Sequence, residues 1–244
     1  MSTELLEEFR KRINIARKYP SKTVMAYIHL AELGLYHYVY YYMYRLVGYE
    51  IPMLDHDYEK FFRIKKRDVV VDVGAHVGLF AYSVAKRAKM VVAIECEPKN
   101  LEQLHSNLRN FRNALVVGKA LWNCKGKLPL YVGAWSGGHS LIRDPTSAPW
   151  NREIMVDVDT LDNVLRDLRI AEVDFVKMDI EGAEIEALEG ASETLKKISR
   201  IVVASYHERN GVKTIHKVIR KLIDNGFKVY TTVDDLVYGI KKQN

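Results

Sequence analysis

The stretch DVVVDVGAHVGLF, Asp68 to Phe80, gives the clearest indication of the fold. Its first part is a nearly continuous run of β-branched apolar residues, which is typical of a strand buried on both faces. Gly74 and Gly78 follow the strand, and a helical pattern then runs from Leu79 to Ala88. A strand that turns through glycine directly into a helix predicts the first βα unit of an open parallel sheet.

The alternation of strand and helix continues along the chain. VVAIE indicates a second strand, PKNLEQLHSNLRNF a helix that begins at Pro98, and ALVVGKAL a third strand. After Asp159 the pattern predicts helix, strand, helix, strand and helix in TLDNVLRDL, VDFVKMD, AEIEALEGASETLKKI, RIVVASYH and VKTIHKVIRKLIDNG, then two closing strands in FKVYTT and LVYGIKK. The chain therefore predicts an α/β, Rossmann-like fold, with a mostly parallel sheet and helices on both faces.

An insertion interrupts this alternation between Asn123 and Asp159. The segments KLPLYVG and EIMVDVDT predict two strands that form a hairpin or add to an edge. Between them, residues 133–152 are rich in Gly, Ser and Pro and contain Trp135 and Trp150. Long loops of this kind often bind ligands, and His139 and Ser140 are candidates for substrate contact.

Residues 1–67 differ from the rest of the chain and predict a helical extension, followed by the main domain at residues 68–244. The whole chain has 244 residues and a net charge of +6, and residues 1–67 hold 12 Lys and Arg against 8 Asp and Glu. Six tyrosines lie between Tyr36 and Tyr44. This aromatic segment predicts either a helix packed on the main domain, or a substrate lid or the contact surface of a homodimer. The basic excess suits an anionic partner but is too small to establish nucleic-acid binding.

The cysteine content and the lack of a long apolar segment near the N-terminus indicate the cellular setting. The two cysteines, Cys96 and Cys124, cannot form a disulfide framework and lack the spacing of a metal-binding pair. The N-terminus is charged, and the longest uncharged stretch there, Leu33 to Tyr44, has 12 residues, whereas a membrane-spanning helix needs about 20. We therefore expect a soluble, cytoplasmic protein.

The glycine turn after the first strand predicts a ligand site, because open α/β sheets bind ligands at the carboxyl ends of their strands. His76 and Leu79 stand where a dinucleotide fingerprint needs glycine, and the turn lacks the lysine of a phosphate-binding loop. The spacing suits a smaller anion such as a carboxylate, with Asp72 nearby to meet a cation. A ligand with both charges is an amino acid. His76 is either a contact of that ligand or a turn residue that fills space.

Glu95 ends the second strand, where an acid can accept hydrogen bonds from both hydroxyls of a ribose. Glu97 is a rival for this role, but alternation along an extended chain directs it to the opposite side. An amino acid at the first strand and a ribose at the second together describe S-adenosylmethionine.

Four motifs in order, VDVGAHVGLFAY, AIECEPKNLEQLHSNL, VDVDTLDNVL and DFVKMDIEGAEIEALEGA, resemble the FkbM family of S-adenosylmethionine-dependent methyltransferases. The resemblance runs from about Asp68 to the C-terminus and implies a class I methyltransferase fold, with seven strands of which the last is antiparallel. Cys96 stands where the family usually has proline. Ser205 stands where members often have glutamate, two places before His207.

The resemblance implies that Gly74, Ala75 and Gly78 contact the methionine part, that Glu95 binds the ribose, and that Lys119, Ala120 and Leu121 lie near the adenine. With the turn residues and the end of the fourth strand, the expected cofactor-binding set is Asp72, Gly74, Ala75, His76, Gly78, Glu95, Cys96, Ala120, Leu121 and Asp179.

Three residues are candidates for catalysis: Asp179, Glu181 and His207. A hydroxyl acceptor needs a base near the methyl group, and Asp179 and His207 end neighbouring candidate strands. His207 has the better intrinsic pKa for that base. Asp179 could instead orient the acceptor, position the amino group of the cofactor, or join Glu181 on a divalent metal ion, although no metal is the favoured interpretation. Glu184 is interpreted as a helix-start residue, where negative charge suits the helix dipole.

These features predict a methyltransferase that acts on a hydroxyl of a small molecule, glycan or lipid-linked sugar. The alternative is a methyltransferase for RNA or protein, docked by the basic N-terminal segment. A third, non-enzymatic interpretation would keep the fold and use the cofactor site only for sensing. The sequence does not identify the acceptor.

Overall fold

The computed structural model describes residues 58–133, 137–143, 150 and 152–241. These residues contain three sheets, of seven, four and two strands. The strands of the large sheet are β1 (Val69–Val73), β2 (Met90–Ile94), β3 (Ala114–Val117), β8 (Phe175–Met178), β9 (Arg200–Ala204), β12 (Lys228–Thr231) and β13 (Leu236–Ile240). The four-stranded sheet contains β4 (Ala120–Leu121), β5 (Gly126–Val132), β6 (His139–Ser140) and β7 (Arg152–Asp159). The two-stranded sheet pairs β10 (Glu208–Arg209) antiparallel with β11 (Val212–Lys213).

The large sheet has the order β12-β13-β9-β8-β1-β2-β3. Strands β3, β2, β1, β8 and β9 pair in parallel, and β13 pairs antiparallel with both β9 and β12. The predicted reversal of the last strand is therefore confirmed. The strand order changes direction between β1 and β8, so a crevice opens at the carboxyl ends of these two strands.

Within the described ranges, six helices cover the large sheet: α1 (Leu79–Ala85), α2 (Pro98–Leu108), α3 (Leu161–Asp167), α4 (Glu184–Glu189), α5 (Ser192–Lys197) and α6 (Ile215–Asp224). The buried residues of α3, α4, α5 and α6 pack in one cluster with the central strands. From β1 the chain moves outward to β2 and β3, whereas from β8 it moves outward in the opposite direction to β9. Because both sets of crossovers are right-handed, α1 and α2 lie on the face opposite to α4, α5 and α6. The predicted Rossmann-like fold, with helices on both faces, is confirmed.

Two predicted elements were wrong in detail. The segment AEIEALEGASETLKKI forms two helices, because Gly190 ends α4 where the chain passes the carbonyl oxygen of Trp122; a Cβ at Gly190 would lie 2.1 Å from that oxygen. The segment ALVVGKAL is divided between the sheets as β3 and β4. The predicted pair KLPLYVG and EIMVDVDT is confirmed as the antiparallel pair β5 and β7.

Residues 58–67 pack on the large sheet through aromatic side chains. Phe62 makes edge-to-face contacts with Phe175 and Tyr238, and Tyr58 makes one with Phe80. The rest of the predicted N-terminal extension, its tyrosine-rich segment and Trp135 lie outside the described residues, so the boundary at residue 67 stays a prediction. Within the described part of the chain, no helix has the length and apolar character needed to cross a bilayer.

Candidate active site

A cleft that is open to solvent lies at the carboxyl ends of β1, β2 and β8. Its wall includes part of the predicted cofactor-binding set, namely Gly74, His76, Glu95, Cys96, Ala120, Leu121 and Asp179, together with Lys119, His139 and Glu181. Asp72, Ala75 and Gly78 do not line it.

Gly74 brings the end of β1 against the end of β8. Its φ is +72°, and an added Cβ would lie 1.9 Å from the carbonyl oxygen of Asp179. The amide groups of Gly74 and Ala75 both donate to the carbonyl oxygen of Ile94, at 3.0 and 2.9 Å. Because both amides already donate within the protein, they are not available to bind the anion that was predicted at this turn.

Gly78 has a packing role. Its φ is +92°, and a Cβ there would lie 2.6 Å from Leu104 Cδ1 on α2. The glycine therefore allows the start of α1 to approach α2, away from the cleft. Ala75 is buried in the turn. The residues that the resemblance assigned to the methionine part are divided: Gly74 lines the cleft, whereas Ala75 and Gly78 support the turn.

Asp72 lies below the cleft floor and pairs with a lysine that sequence reasoning missed. Lys177 Nζ is 3.0 Å from Asp72 Oδ1 and donates to the carbonyl oxygen of Gly74 at 2.7 Å. Burial raises the pKa of Asp72, against the opposing effect of Lys177. The carboxylate that was expected to meet a cation of the ligand is therefore occupied by Lys177. A charged residue inside the apolar run of β8 was the signal, since lysine is rarely buried without a partner.

Glu95 is held rigidly at the end of β2. Its Oε1 accepts the amides of Cys96 and Glu97 at 2.9 and 2.8 Å, and its Oε2 accepts the amide of His76 at 2.9 Å. Burial raises the pKa of Glu95, while these hydrogen bonds act in the opposite direction. With one protein donor on Oε2, that oxygen can accept a second hydrogen bond from a ligand in the cleft.

Glu97 serves as the N-cap of α2, where it accepts the amide of Asn100 at 2.8 Å. This geometry agrees with the expectation that Glu97 faces away from the ligand. His76 lines the cleft, and burial, with a smaller effect from His139, lowers its pKa to about 4. Its ring is therefore neutral near pH 7. Burial raises the pKa of Cys96 well above its usual value, so the thiol stays protonated.

The three predicted catalytic residues come together beside the cleft. His207 Nε2 is 3.6 Å from Asp179 Oδ1 and 3.4 Å from Glu181 Oε2. Glu181 has a φ of +53° and Gly182 a φ of +101°, and this left-handed turn follows β8 directly. Backbone conformations of this type are concentrated at functional sites.

Glu184 belongs to the same cluster. It begins α4, as the helix-start interpretation holds, but its side chain is fully buried and Oε1 lies 2.9 Å from His207 Nδ1. Although burial lowers the pKa of His207, the Glu184 and Glu181 carboxylates raise it to about 11. Burial also raises the pKa of Glu181, against the effect of His207. The cluster therefore places a histidine among three acids.

Two tyrosines that the sequence did not indicate hold Asp179. The hydroxyl of Tyr58 donates to Oδ2 at 2.7 Å, and that of Tyr206 donates to Oδ1 at 3.3 Å. Tyr206 stands next to the predicted His207, which was the available signal. The insertion also reaches the site, since the hydroxyl of Ser140 donates to the carbonyl oxygen of Glu181.

Comparisons with known proteins agree with this geometry. A family model described as the methyltransferase FkbM domain matches residues 72–229. Methyltransferase sdnD of Sordaria araneosa is 27% identical over 74% of this chain and 81% of its own length. The AMB antimetabolite synthetase AmbE of Pseudomonas aeruginosa is 23% identical over 82% of this chain, which is only 12% of that protein.

A solved structure has the same fold. The methyltransferase FkbM from Methylobacillus flagellatus matches with a TM-score of 0.53 and 20% identity, over 73% of this chain and 45% of its own. This chain therefore spans less than half the length of that protein. Since the family match covers more than half of the chain and extends from β1 to β12, the protein belongs to the FkbM family of methyltransferases.

Proposed function

We propose that this methyltransferase transfers a methyl group from S-adenosylmethionine to a hydroxyl of a small molecule, glycan or lipid-linked sugar. The observation that carries the proposal is the pair of carboxylates, Asp179 and Glu181, in a cleft that Glu95 also lines, two strands away in the sheet. Carboxylates at separate strand ends suit a ligand with a ribose at one end and a reacting group at the other.

The cleft fits the cofactor at two points. Glu95 lines the cleft, and its Oε2, which accepts the amide of His76, can accept one more hydrogen bond, which suits a ribose hydroxyl. Ile94, Ala120 and Leu121 supply apolar surface beside it, which suits the flat face of an adenine. When bound, the cofactor supplies a methyl group that its sulfonium already activates, so the protein needs only to align the acceptor and receive its proton.

In this proposal the three predicted catalytic residues have different tasks. Asp179, fixed by the two tyrosine hydroxyls, orients the acceptor hydroxyl toward the methyl group. Glu181 receives the hydroxyl proton, because its side chain lines the cleft and is 28% exposed, so water can take the proton onward. His207 is 8% exposed and does not line the cleft, so it positions the two carboxylates and does not touch the acceptor.

Replacement of Glu95 by alanine should weaken cofactor binding. The loss of a charged acceptor for ribose hydroxyls costs about 1.5–3 kcal/mol, or roughly tenfold or more in Kd. Calorimetric titration with S-adenosylmethionine measures the change, after circular dichroism has shown that the variant is folded. Glu102→Ala, an exposed glutamate on α2, is the matched control and should bind as the wild type does. An unchanged affinity in Glu95→Ala would remove this residue from the ribose site.

The class of acceptor can be determined by transfer of a radiolabelled methyl group into fractionated extracts. We expect label in the small-molecule, glycan or lipid fraction, stable to mild base as an ether is. Label in RNA or protein would instead support the alternative of a macromolecular acceptor. If RNA is labelled, a salt-sensitive gel shift would test docking by the basic N-terminal segment. A homodimer and a cytoplasmic location stay predictions.

A further inference from the structure

Three potential ligand atoms converge beside the cleft: Asp179 Oδ1, Glu181 Oε2 and His207 Nε2. All three lie within 4.8 Å of one another, and Nε2 is 3.6 and 3.4 Å from the two oxygens. Neighbouring ligands on an ion that is bound at about 2.0–2.2 Å are separated by roughly 3–3.5 Å. A short movement of the carboxylate side chains therefore brings the three atoms to the spacing of a metal site.

The histidine supplies independent support for a ligand at this place. Its side chain is 8% exposed, and neither ring nitrogen has a hydrogen bond of good geometry. Nδ1 lies 2.9 Å from Glu184 Oε1, which leaves Nε2 directed at Asp179 and Glu181. Metal-binding histidines usually donate their second ring N–H to a carboxylate, a backbone carbonyl or water, which fixes the ring and its tautomer, and Glu184 is placed to be that partner here.

The charge balance also favours a cation. Asp179, Glu181 and Glu184 place three carboxylates around one imidazole. The nearby Lys177 pairs with Asp72 and donates to the carbonyl of Gly74, so its positive charge mainly balances Asp72 below the floor of the cleft. Even a protonated His207 supplies only one positive charge for these three carboxylates, of which Glu184 is fully buried. A divalent ion that displaces the proton from Nε2 would supply the larger counter-charge.

We propose that Asp179, Glu181 and His207 bind a divalent transition-metal ion, of the Mn²⁺ or Zn²⁺ class, and that this ion holds the acceptor hydroxyl. One imidazole nitrogen with two carboxylate oxygens suits these ions better than Ca²⁺ or Mg²⁺, which prefer oxygen alone. This assignment replaces the metal-free interpretation that the sequence favoured. The role of the ion in holding the acceptor hydroxyl rests on the proposed hydroxyl methylation, whereas the binding of the ion does not.

The ion would assist the reaction by lowering the pKa of the hydroxyl that it binds. The hydroxyl oxygen then forms a bond to the methyl carbon, the bond between that carbon and the sulfur breaks, and the sulfur leaves as a neutral thioether. The proton passes to the second oxygen of Glu181 and from there to water. Charge and atoms balance without any oxidant or reductant.

The test uses the full chain without an affinity tag, dialysed against EDTA and then against metal-free buffer. Mn²⁺ binding is measured by the loss of the free-ion signal in electron paramagnetic resonance, and Zn²⁺ binding by calorimetry. We expect one tight ion per chain, at least tenfold weaker in Glu181→Gln and in Asp179→Asn. Glu102→Gln is the matched control and should bind as the wild type does. Glu181→Gln is preferred to a change at His207, because loss of the imidazole would leave Glu184 buried without its partner.

Three outcomes separate this inference from the proposed function. Binding of neither ion by the wild type, or equal binding by wild type and Glu181→Gln, overturns the metal site. Methyl transfer that continues unchanged in EDTA overturns the role of the ion in the reaction while the proposed function stands. Ion binding by a chain that binds no S-adenosylmethionine leaves the metal site in place and overturns the proposed function.

Discussion

Asp179→Asn should lower methyl transfer at least about 100-fold while the affinity for S-adenosylmethionine changes less than threefold, since groups that orient and activate the acceptor typically contribute factors of 10²–10⁴. Asp179 ends β8 at the wall of the cleft and is held there by the hydroxyls of Tyr58 and Tyr206. The substitution removes the charge but keeps the shape of the side chain. Single-turnover transfer and calorimetry on the same preparation measure the two quantities.

Asparagine is preferred to alanine for a structural reason. Tyr58 is 4% exposed, so alanine would leave its hydroxyl buried without this acceptor, at a cost of about 1–3 kcal/mol. The amide oxygen of asparagine can still accept that hydrogen bond. Asp224→Asn, an exposed position at the end of α6, controls for a loss of one negative charge. Full transfer activity in Asp179→Asn would exclude the residue from the chemistry.

Gly74→Ala should destabilise the fold by roughly 3–5 kcal/mol, the combined cost of a left-handed alanine and of an overpacked core. The added Cβ would lie 1.9 Å from the carbonyl oxygen of Asp179, and backbone on both sides prevents an easy adjustment. The ends of β1 and β8 would have to separate, which also opens the floor of the cleft. Urea denaturation measures the stability, and calorimetry measures the accompanying loss of cofactor affinity.

Gly226→Ala separates the cost of a left-handed alanine from the cost of the steric collision. Gly226 has a φ of +81°, close to the +72° of Gly74, but a Cβ there meets no atom within 4 Å. This control therefore carries the conformational cost without the collision, and we expect it to lose only about 1–2 kcal/mol. Equal losses in the two variants would show that the contact between Gly74 and Asp179 has no role in stability.

The sheet was predictable because its central strands are nearly continuous apolar runs separated by helices. Val70, Val71, Phe175 and Val176 are fully buried, and the charged residues within the same strands, Asp72 and Lys177, pair with each other. The break at Gly190 could not be predicted, because it depends on the carbonyl of Trp122, which is remote in sequence. Local periodicity records which face of an element is buried, but not where a distant loop forces the chain to turn.

The sequence was sufficient to predict at which edge of the sheet the site lies. Asp179 and His207 follow β8 and β9, and since parallel neighbouring strands end at one edge, their proximity followed from the fold. The residues that contact Asp179 and His207, and so determine their chemistry, could not be predicted from the fold. Tyr58 reaches Asp179 across 121 residues, and Glu184 could be recognised only as a helix start until its contact with His207 was known.

The central claim, that this cleft is the cofactor site of a methyltransferase, is tested most directly by calorimetric titration of the wild-type chain with S-adenosylmethionine. The expected result is one molecule bound per chain, displaced by the demethylated product S-adenosylhomocysteine and weakened by Glu95→Ala but not by Glu102→Ala. A folded wild-type chain that binds neither compound, even at millimolar concentration, would contradict the claim.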